Sequence, residues 1–206
     1  MFITFEGIDG SGKTTQIEYL KDFLEKKGYN VITTREPGGT HLSERIRELL
    51  LNTDYNIDPI TELFLFNASR MHLINTIIKP ALKNNIIVIS DRFYDSTTAY
   101  QGYGRSISLD NINKCNDIIK SFGIIPDITL FLDIDIKVSE ERRSSMEKDR
   151  IELSNESFFE KVRAGYLCIA NEEPNRIKII NANRDKQSIF EDIKKYILPL
   201  LPTIAK

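Results

Sequence analysis

The stretch FEGIDGSGKTT, near the start of the chain, has the residue types and spacing of a loop that binds phosphate. Gly7, four further residues, and then Gly12, Lys13 and Thr14 complete the pattern. Glycines let backbone N–H groups point at phosphate oxygens, the lysine reaches the outer phosphates, and the threonine hydroxyl helps to hold Mg²⁺. A strand-like segment precedes the pattern and a helix-like segment follows it, which disfavours a merely flexible turn. The sequence therefore predicts a site for a nucleoside triphosphate.

Three classes of protein use such a loop: kinases, regulatory GTPases and motor-like ATPases. A GTPase should carry an Asn-Lys-x-Asp string after a strand, but residues 113–116 read NKCN and fall in a predicted helix. An ATPase driven by nucleic acid should show a basic track and a larger body. The formal net charge of −2 gives no such field. A kinase is the class that remains.

Two further polar clusters follow predicted strands, where the ligand crevice of an open α/β sheet lies. They are REPGGT, residues 35–40, and DRFYDSTTAYQ, residues 91–101. Phe66 and Arg70 fall on a long apolar-periodic segment between them. Arginines suit a phosphate, an aromatic ring suits a base, and amides and hydroxyls suit base edges and a sugar. The sequence therefore predicts that the acceptor is also a nucleotide.

Taken together, GIDGSGKTT, REPGGT, the Phe66 to Arg70 spacing, DRFYDSTTAYQG and RRxxxxxDRIE resemble the thymidylate kinase family. They occur in the usual order and spacing over nearly the whole chain. The resemblance implies phosphorylation of dTMP to dTDP by ATP with Mg²⁺, on the P-loop nucleoside monophosphate kinase fold, in a homodimer. Another nucleotide kinase, acting on dUMP, CMP or a deoxynucleoside, is the nearest alternative. A switch protein that binds NTP without an acceptor is the alternative from another class.

The resemblance also implies roles for individual residues. Arg92 should hold the acceptor phosphate, Phe66 should stack on thymine, Arg70 should donate to a thymine carbonyl, and Tyr100 should crowd the 2′ position. The bond before Pro37 is a candidate for the cis form. The positions that match the dTMP pocket are Asp9, Glu36, Pro37, Arg47, Phe66, Arg70, Arg92, Thr97, Tyr100 and Gln101.

On the donor side, some family members carry a basic residue inside the P-loop and others carry basic residues in a mobile lid. Here the P-loop interior has no positive charge, whereas four basic residues lie in or beside the segment from about 140 to 153. This resembles the bacterial arrangement, and which lid arginine reaches the transferred phosphoryl group stays open. The predicted ATP contacts are Gly7, Ile8, Asp9, Gly10, Ser11, Gly12, Lys13, Thr14, Thr15 and Arg142. The predicted catalytic residues are Asp9, Lys13, Arg92, Arg143 and Arg150, and the predicted metal ligands are Thr14, Asp9 and Asp91.

The elements that must position these residues follow from hydrophobic periodicity. Short apolar strands alternate with helical patterns, which predicts a doubly wound α/β fold: a parallel five-stranded sheet with helices on both faces. The predicted strands are residues 2–5, 30–34, 86–90, 128–133 and 176–180. Residues 140–152, rich in charge and without apolar periodicity, predict an exposed, mobile lid.

Length and composition indicate the number of domains and the class of protein. A chain of 206 residues, 41% hydrophobic and 28% charged, predicts one globular domain, residues 1–206. Two isolated cysteines suggest neither a metal site nor a disulfide framework. No apolar run approaches the length of a membrane span, and no leader pattern precedes the first motif. We expect a cytoplasmic protein without membrane or nucleic-acid partners.

Overall fold

The computed structural model describes residues 1–144 and 147–203. Residues 145 and 146 of the predicted lid, and residues 204–206 of the predicted domain, lie outside the described part. The strands are β1 Phe2–Glu6, β2 Val31–Arg35, β3 Ile87–Asp91, β4 Ile128–Asp133 and β5 Ile177–Asn181. The α-helices are α1 Lys13–Lys26, α2 His41–Leu51, α3 Pro59–Leu73, α4 Lys79–Lys83, α5 Tyr94–Thr97, α6 Leu109–Ser121, α7 Ile136–Arg142, α8 Glu156–Glu172 and α9 Lys186–Ile197. Two π-helical segments, Ile74–Ile78 and Thr98–Gly104, continue α3 and α5, and a 3₁₀ turn, Leu198–Leu200, follows α9.

The five strands form one parallel sheet in the order β2-β3-β1-β4-β5. The chain moves from β1 to one side of the sheet and later crosses to the other side for β4 and β5. This reversal beside β1 is the switch point at which open α/β sheets bind ligands, beyond the carboxyl ends of the strands. The predicted doubly wound five-stranded sheet is confirmed, and the loops after β1, β2 and β3 meet at that edge.

Side chains of the central strands alternate between two helical layers. In β3, Ile87 and Ile89 pack in the core that α1, α8 and α9 cover, whereas Val88 faces the layer of α4, α5 and α6. Each of these three side chains is at most 1% exposed. A strand covered on both faces is apolar at every position, which explains why β3 reads as an uninterrupted apolar run.

Helix starts follow local capping chemistry. Thr40 Oγ1 accepts from the Ser43 backbone N–H at 3.1 Å at the start of α2. Asp58 caps α3 in the same way, accepting from Ile60 N at 3.0 Å, with Pro59 at the first helical position. Both caps fix helices that carry predicted pocket residues.

The structure departs from the sequence-based expectations in three places. The helices α8 and α9, and the helical turns from Tyr94 to Gly104, were not predicted. The lid was predicted to be exposed, but Arg143 is 9% and Ile151 is 8% exposed, so this expectation is wrong for those residues. Arg143 pairs with Glu152 within the lid at 2.6 Å, and Ile151 packs against the main hydrophobic core.

Among the described helices, none combines the length and the apolar character that crossing a membrane requires.

Candidate active site

The P-loop connects the end of β1 to the start of α1. Three of its glycines have positive φ angles: Gly7 at 137°, Gly10 at 80° and Gly12 at 95°. A side chain at Gly7 would lie 2.6 Å from the Leu132 carbonyl oxygen, so this position requires glycine for space as well as for φ. The loop interior, Ile8 and Ser11, is buried. The backbone thus forms the concave turn that the sequence pattern predicted.

Lys13 folds back over this turn. Its Nζ donates to the carbonyl oxygens of Gly7 at 3.1 Å and Ile8 at 3.2 Å. It also lies 3.8 Å from Asp9 and 4.0 Å from Asp91. Burial lowers the pKa of Lys13, and the neighbouring Arg92 adds to this effect. A buried ammonium at this place stabilises an added anion strongly, because little solvent screens it.

Arg92 has an unusual backbone conformation for a residue other than glycine. It follows β3 with φ of 72°, in the left-handed region. Three hydrogen bonds hold this turn: Arg92 N donates to Phe5 O at 2.9 Å, Ser90 Oγ donates to Arg92 O at 2.8 Å, and Phe93 N donates to Glu6 Oε1 at 2.7 Å. Such conformations persist where the surroundings over-determine them, often at functional sites.

The guanidinium of Arg92 lies between the P-loop and a group of hydroxyls. Its NH2 donates to Asp9 Oδ1 at 2.9 Å and to the Tyr100 hydroxyl at 3.1 Å. Its NH1 donates to Ser96 Oγ at 3.3 Å and to the Tyr166 hydroxyl at 3.2 Å. Burial alone would raise the pKa of Asp9, but Arg92 and Lys13 outweigh it and hold that pKa well below its ordinary value. Asp9 is therefore ionised beside the two cations.

Glu6 accepts hydrogen bonds from hydroxyls that contact Arg92. The hydroxyls of Ser96 and Tyr166 donate to its Oε2 at 2.5 and 2.8 Å, and both accept from Arg92. Burial raises the pKa of Glu6 to about 7, and the neighbouring Asp95 adds to the rise. The sequence reasoning missed Glu6, Ser96 and Tyr166. The glutamate in the buried strand β1 is the one sequence signal that pointed to such a role.

All residues predicted for the dTMP pocket line a single cavity next to the P-loop. Phe66 and Arg70 reach it from α3, and Thr97, Tyr100 and Gln101 reach it from the helical turns after β3. Asp149 and Ile151 from the lid contribute to it and were not predicted. The lining residues are Asp9, Glu36, Pro37, Arg47, Leu51, Phe66, Arg70, Arg92, Ser96, Thr97, Tyr100, Gln101, Asp149 and Ile151.

Arg70 is almost fully buried at the base of this cavity. Its Nε donates to Glu36 Oε2 at 2.6 Å, its NH1 to Thr97 Oγ1 at 2.8 Å and its NH2 to Phe93 O at 3.1 Å. Burial raises the pKa of Glu36 to about 7, and Arg70 opposes this rise. The bond between Glu36 and Pro37 is cis, and Arg47 NH1 donates to Pro37 O at 2.9 Å.

The lid arginines take different positions. Arg142 donates to Gly10 O at 3.4 Å and to Ala182 O at 3.1 Å, so it lies between the P-loop and the loop after β5. Arg143 packs on Gly10, where an added Cβ would meet its Cγ at 3.2 Å. Arg150 instead donates to Leu50 O at 2.8 Å. Its role in phosphoryl transfer stays a prediction, and its guanidinium is committed away from the P-loop.

The predicted metal ligands fit a hard divalent cation. Asp91 Oδ1 is buried and has no hydrogen-bond partner among the described residues. Thr14 is exposed in the first turn of α1, and the Asp9 carboxylate lies on the P-loop that precedes this helix. Hydroxyl and carboxylate oxygens are the ligands that Mg²⁺ takes in proteins, together with phosphate and water. Their role as metal ligands stays a prediction.

The fold and the site are those of a P-loop nucleoside monophosphate kinase. A P-loop follows the first strand of a parallel sheet, and a cluster of basic residues adjoins a cavity with aromatic residues. The comparisons with known proteins are more specific. A family model described as thymidylate kinase matches residues 5–193. The chain belongs to the thymidylate kinase family.

The similarity extends over whole chains. Thymidylate kinase of Kosmotoga olearia is 44% identical over 206 residues, which cover 100% of this chain and 99% of that protein. Thymidylate kinase of Chlorobaculum parvum is 50% identical, covering 94% of this chain and 93% of its own. The crystal structure of thymidylate kinase from Ehrlichia chaffeensis superposes with a TM-score of 0.80 at 38% identity, covering 96% of this chain and 98% of its own. The sequence predictions of fold, family and kinase activity are thereby confirmed.

Proposed function

We propose that this protein transfers the terminal phosphoryl group of ATP to dTMP, forming dTDP. The observation that carries the proposal is the cavity that joins Phe66, Arg70 and Gln101 to the Arg92 guanidinium beside the P-loop. One wall suits a pyrimidine base and the other suits a phosphate. A protein that only binds NTP would need no such second compartment.

The acceptor oxygen belongs to a phosphate that is largely ionised at neutral pH, so the attack needs no general base. The obstacle is repulsion between two anions, and catalysis consists of positioning them and stabilising their charge. Lys13 lies on the donor side and Arg92 on the acceptor side, with Asp9 between them. In the free enzyme the Asp9 carboxylate contacts both cations and offsets one of their two charges, and the acceptor phosphate replaces part of that contact.

Among the lid arginines, we assign the contact with the transferred phosphoryl group to Arg143. It packs on Gly10 and lies near enough to Asp9 to lower the pKa of that carboxyl. Its Nε is buried without a hydrogen-bond partner among the described residues, so a donor remains for an incoming anion. Arg142, which donates to Gly10 O, is assigned to ATP. A lid of residues 140–153 that moves over bound nucleotides would exclude water from the reaction.

Mg²⁺ belongs to the same proposal, with Thr14, Asp91 and Asp9 as the residues that would hold it, directly or through water. Bound there, the ion neutralises charge on the phosphates of ATP. The role of Asp91 is supported by its buried carboxylate oxygen beside the P-loop lysine.

We also propose a cytoplasmic homodimer. The exposed face of α3 carries Ile60, Phe64 and Ala68 at four-residue spacing, and Phe64 is 63% exposed. An apolar stripe of this kind suits a helix-to-helix contact between two copies. Replacing Phe64 with Glu should shift the molecular mass in solution, measured by sedimentation, from dimer to monomer. A monomeric wild type would contradict this part.

The activity is tested by the release of ADP from ATP and Mg²⁺ in the presence of dTMP, dUMP, dCMP or no acceptor. We expect rapid release with dTMP and little without an acceptor. Equal release in all four reactions would indicate an NTP-hydrolysing protein rather than a kinase. Preference for dCMP would indicate another nucleotide kinase of the same fold.

A further inference from the structure

Glu62 is a buried carboxylate on α3, one helical turn before Phe66, and its side chain is 1% exposed. Its Oε1 accepts from Gln101 Nε2 at 2.9 Å and from Arg105 Nε at 3.2 Å. Its Oε2 accepts from Arg150 NH2 at 2.6 Å and from Arg105 NH2 at 3.3 Å. An ionised carboxylate only accepts hydrogen bonds, and a buried one must be supplied with donors. Glu62 therefore dictates which atoms its neighbours turn towards it.

For Gln101 this fixes the orientation of the side-chain amide. The NH2 group must face Glu62, since a flipped amide would place its carbonyl oxygen against a carboxylate oxygen. Gln101 is 2% exposed and lines the acceptor cavity. Its Oε1 has no donor bound to it among the described residues. The cavity is thus offered a hydrogen-bond acceptor at this position and not a donor.

The identity of the base determines whether the Gln101 carbonyl oxygen receives a hydrogen bond. Thymine and uracil carry a hydrogen on ring atom N3 and can donate it to a carbonyl oxygen. Cytosine has a lone pair on N3, which would face the Gln101 oxygen without a proton between them. A site built to use such a hydrogen bond rejects analogues that lack it far more strongly than a site that relies on shape.

The same carboxylate also holds one part of the lid. Arg150, whose NH2 binds Glu62, lies between Asp149 and Ile151, which both line the cavity. Its backbone N donates to Leu51 O at 3.1 Å, and its Nε donates to Leu50 O at 2.8 Å. Glu62 therefore touches both the residue that faces the base and the segment that covers it.

We propose that Glu62 is a positioning residue that gives the enzyme its preference for 4-oxopyrimidine bases over cytosine. It acts by fixing the amide of Gln101 with the carbonyl oxygen towards the base. The proposal rests on the proposed function, because it concerns the acceptor site of that reaction.

The test is the variant Glu62→Gln, assayed with dTMP, dUMP and dCMP at saturating ATP and Mg²⁺. The amide introduced at position 62 can present either an oxygen or an NH2 group, so Gln101 is free to flip. We expect the ratio of kcat/KM for dTMP over dCMP to fall by at least about tenfold, the worth of one buried hydrogen bond. The ratio for dTMP over dUMP should stay constant, because both bases carry N3–H.

The two substrate ratios separate positioning from general damage. Loss of the Arg150 contact or of packing would slow all three substrates together and leave both ratios unchanged. A folded Glu62→Gln protein with the wild-type ratio of dTMP over dCMP would overturn the proposal. Glu160→Gln makes the same chemical change at an exposed position on α8 and should alter neither ratio. A wild-type protein inactive on dTMP would refute the proposed function instead.

If the single variant does not fold, the double variant Glu62→Gln with Gln101→Glu replaces it in the test. The amide at position 62 then donates to the carboxylate at position 101, whose second oxygen still accepts from the base. We expect this variant to prefer dTMP over dCMP. A folded exchanged variant that lacks the preference would overturn the proposal.

Discussion

At the residue scale, the site depends on a few charges of low exposure that carboxylates and hydroxyls hold in place. The Arg92 guanidinium is oriented by the hydroxyls of Tyr100, Ser96 and Tyr166, while its backbone turn is tied to β1. We propose that this fork of N–H groups, fixed before the substrate arrives, meets the acceptor phosphate. Pre-organised donors of this kind account for much of the rate in phosphoryl transfer.

Arg92→Lys should lower kcat for dTMP by at least about 100-fold, because lysine keeps the charge but lacks the planar fork. The melting temperature should change by only a few degrees, since the variant keeps a cation beside Asp9. Steady-state kinetics and thermal unfolding measure the two effects. Arg45→Lys, at an exposed position on α2, is the matched control and should behave as wild type. Near-normal turnover of Arg92→Lys would remove Arg92 from the mechanism.

Tyr100→Ala should weaken discrimination against the ribonucleotide form of dTMP by about tenfold, because the ring no longer crowds the 2′ position. Overall activity should fall as well, since the Tyr100 hydroxyl accepts from Arg92 at 3.1 Å. The ratio of kcat/KM for the two substrates isolates the steric effect. Tyr100→Phe keeps the ring and should keep the discrimination. An unchanged ratio in Tyr100→Ala contradicts the assigned role.

At the scale of elements, the acceptor site depends on the close packing of α8 against the π-helical segment Thr98–Gly104. Gly165 on α8 lies against the Tyr103 ring, and Gly104 lies against the Phe158 ring. A Cβ at Gly165 would approach Tyr103 to 2.7 Å, and one at Gly104 would approach Phe158 to 2.6 Å. This contact places Tyr166 behind Arg92.

Gly165→Ala should reduce the free energy of unfolding by about 1 to 3 kcal/mol, because overpacking forces the two elements apart. Urea unfolding measures the loss. Ala164→Ser, on the exposed face of the same helix, should stay within about 0.5 kcal/mol of wild type. If Gly165→Ala were as stable as wild type, the close approach of the two elements would not matter for stability.

At the scale of the whole molecule, buried carboxylates make stability depend on pH. The pKa of Glu6 rises from 4.5 to about 7 on folding, chiefly because of burial. Between these two values the folded protein binds a proton that the unfolded chain does not. Its contribution to stability is therefore present below pH 4.5 and is lost as the pH rises through 7. Glu36, whose pKa burial also raises to about 7, acts in the same direction.

Glu6→Gln should accordingly flatten the decline in unfolding free energy between about pH 5 and pH 7, because a neutral amide does not titrate. The slope that remains belongs to Glu36 and the other carboxyls. Urea unfolding at about pH 5, 6, 7 and 8 for both proteins gives the comparison. An identical slope in the variant would mean that Glu6 does not bind a proton in this window.

Local features of this chain were predictable from its sequence, whereas contacts between distant residues were not. The P-loop and the strands were predicted from the sequence because turn conformation, periodicity and short motifs are local properties. The pocket residues followed from the resemblance to the thymidylate kinase family. The lid confirms its predicted exposure only in part: residues 140–142, 144, 147 and 148 are exposed. Arg143, however, pairs with Glu152 within the lid at 2.6 Å, and Arg150 pairs with Glu62 on α3 at 2.6 Å. Charged residues in such a run are buried only where partners pack closely against them.

By itself, the sequence predicted the class of ligand, a parallel five-stranded sheet and, through the family resemblance, the residues proposed to face the two nucleotides. Only the tertiary structure decided the order of the strands and which groups orient the predicted site residues. Glu6 lies 90 positions from Ser96 and 160 from Tyr166 along the chain, and Glu62 lies 39 positions from Gln101. Hydrogen-bond partners this far apart leave no periodic trace in a sequence, because their contact is created by the packing of strands and helices around the core.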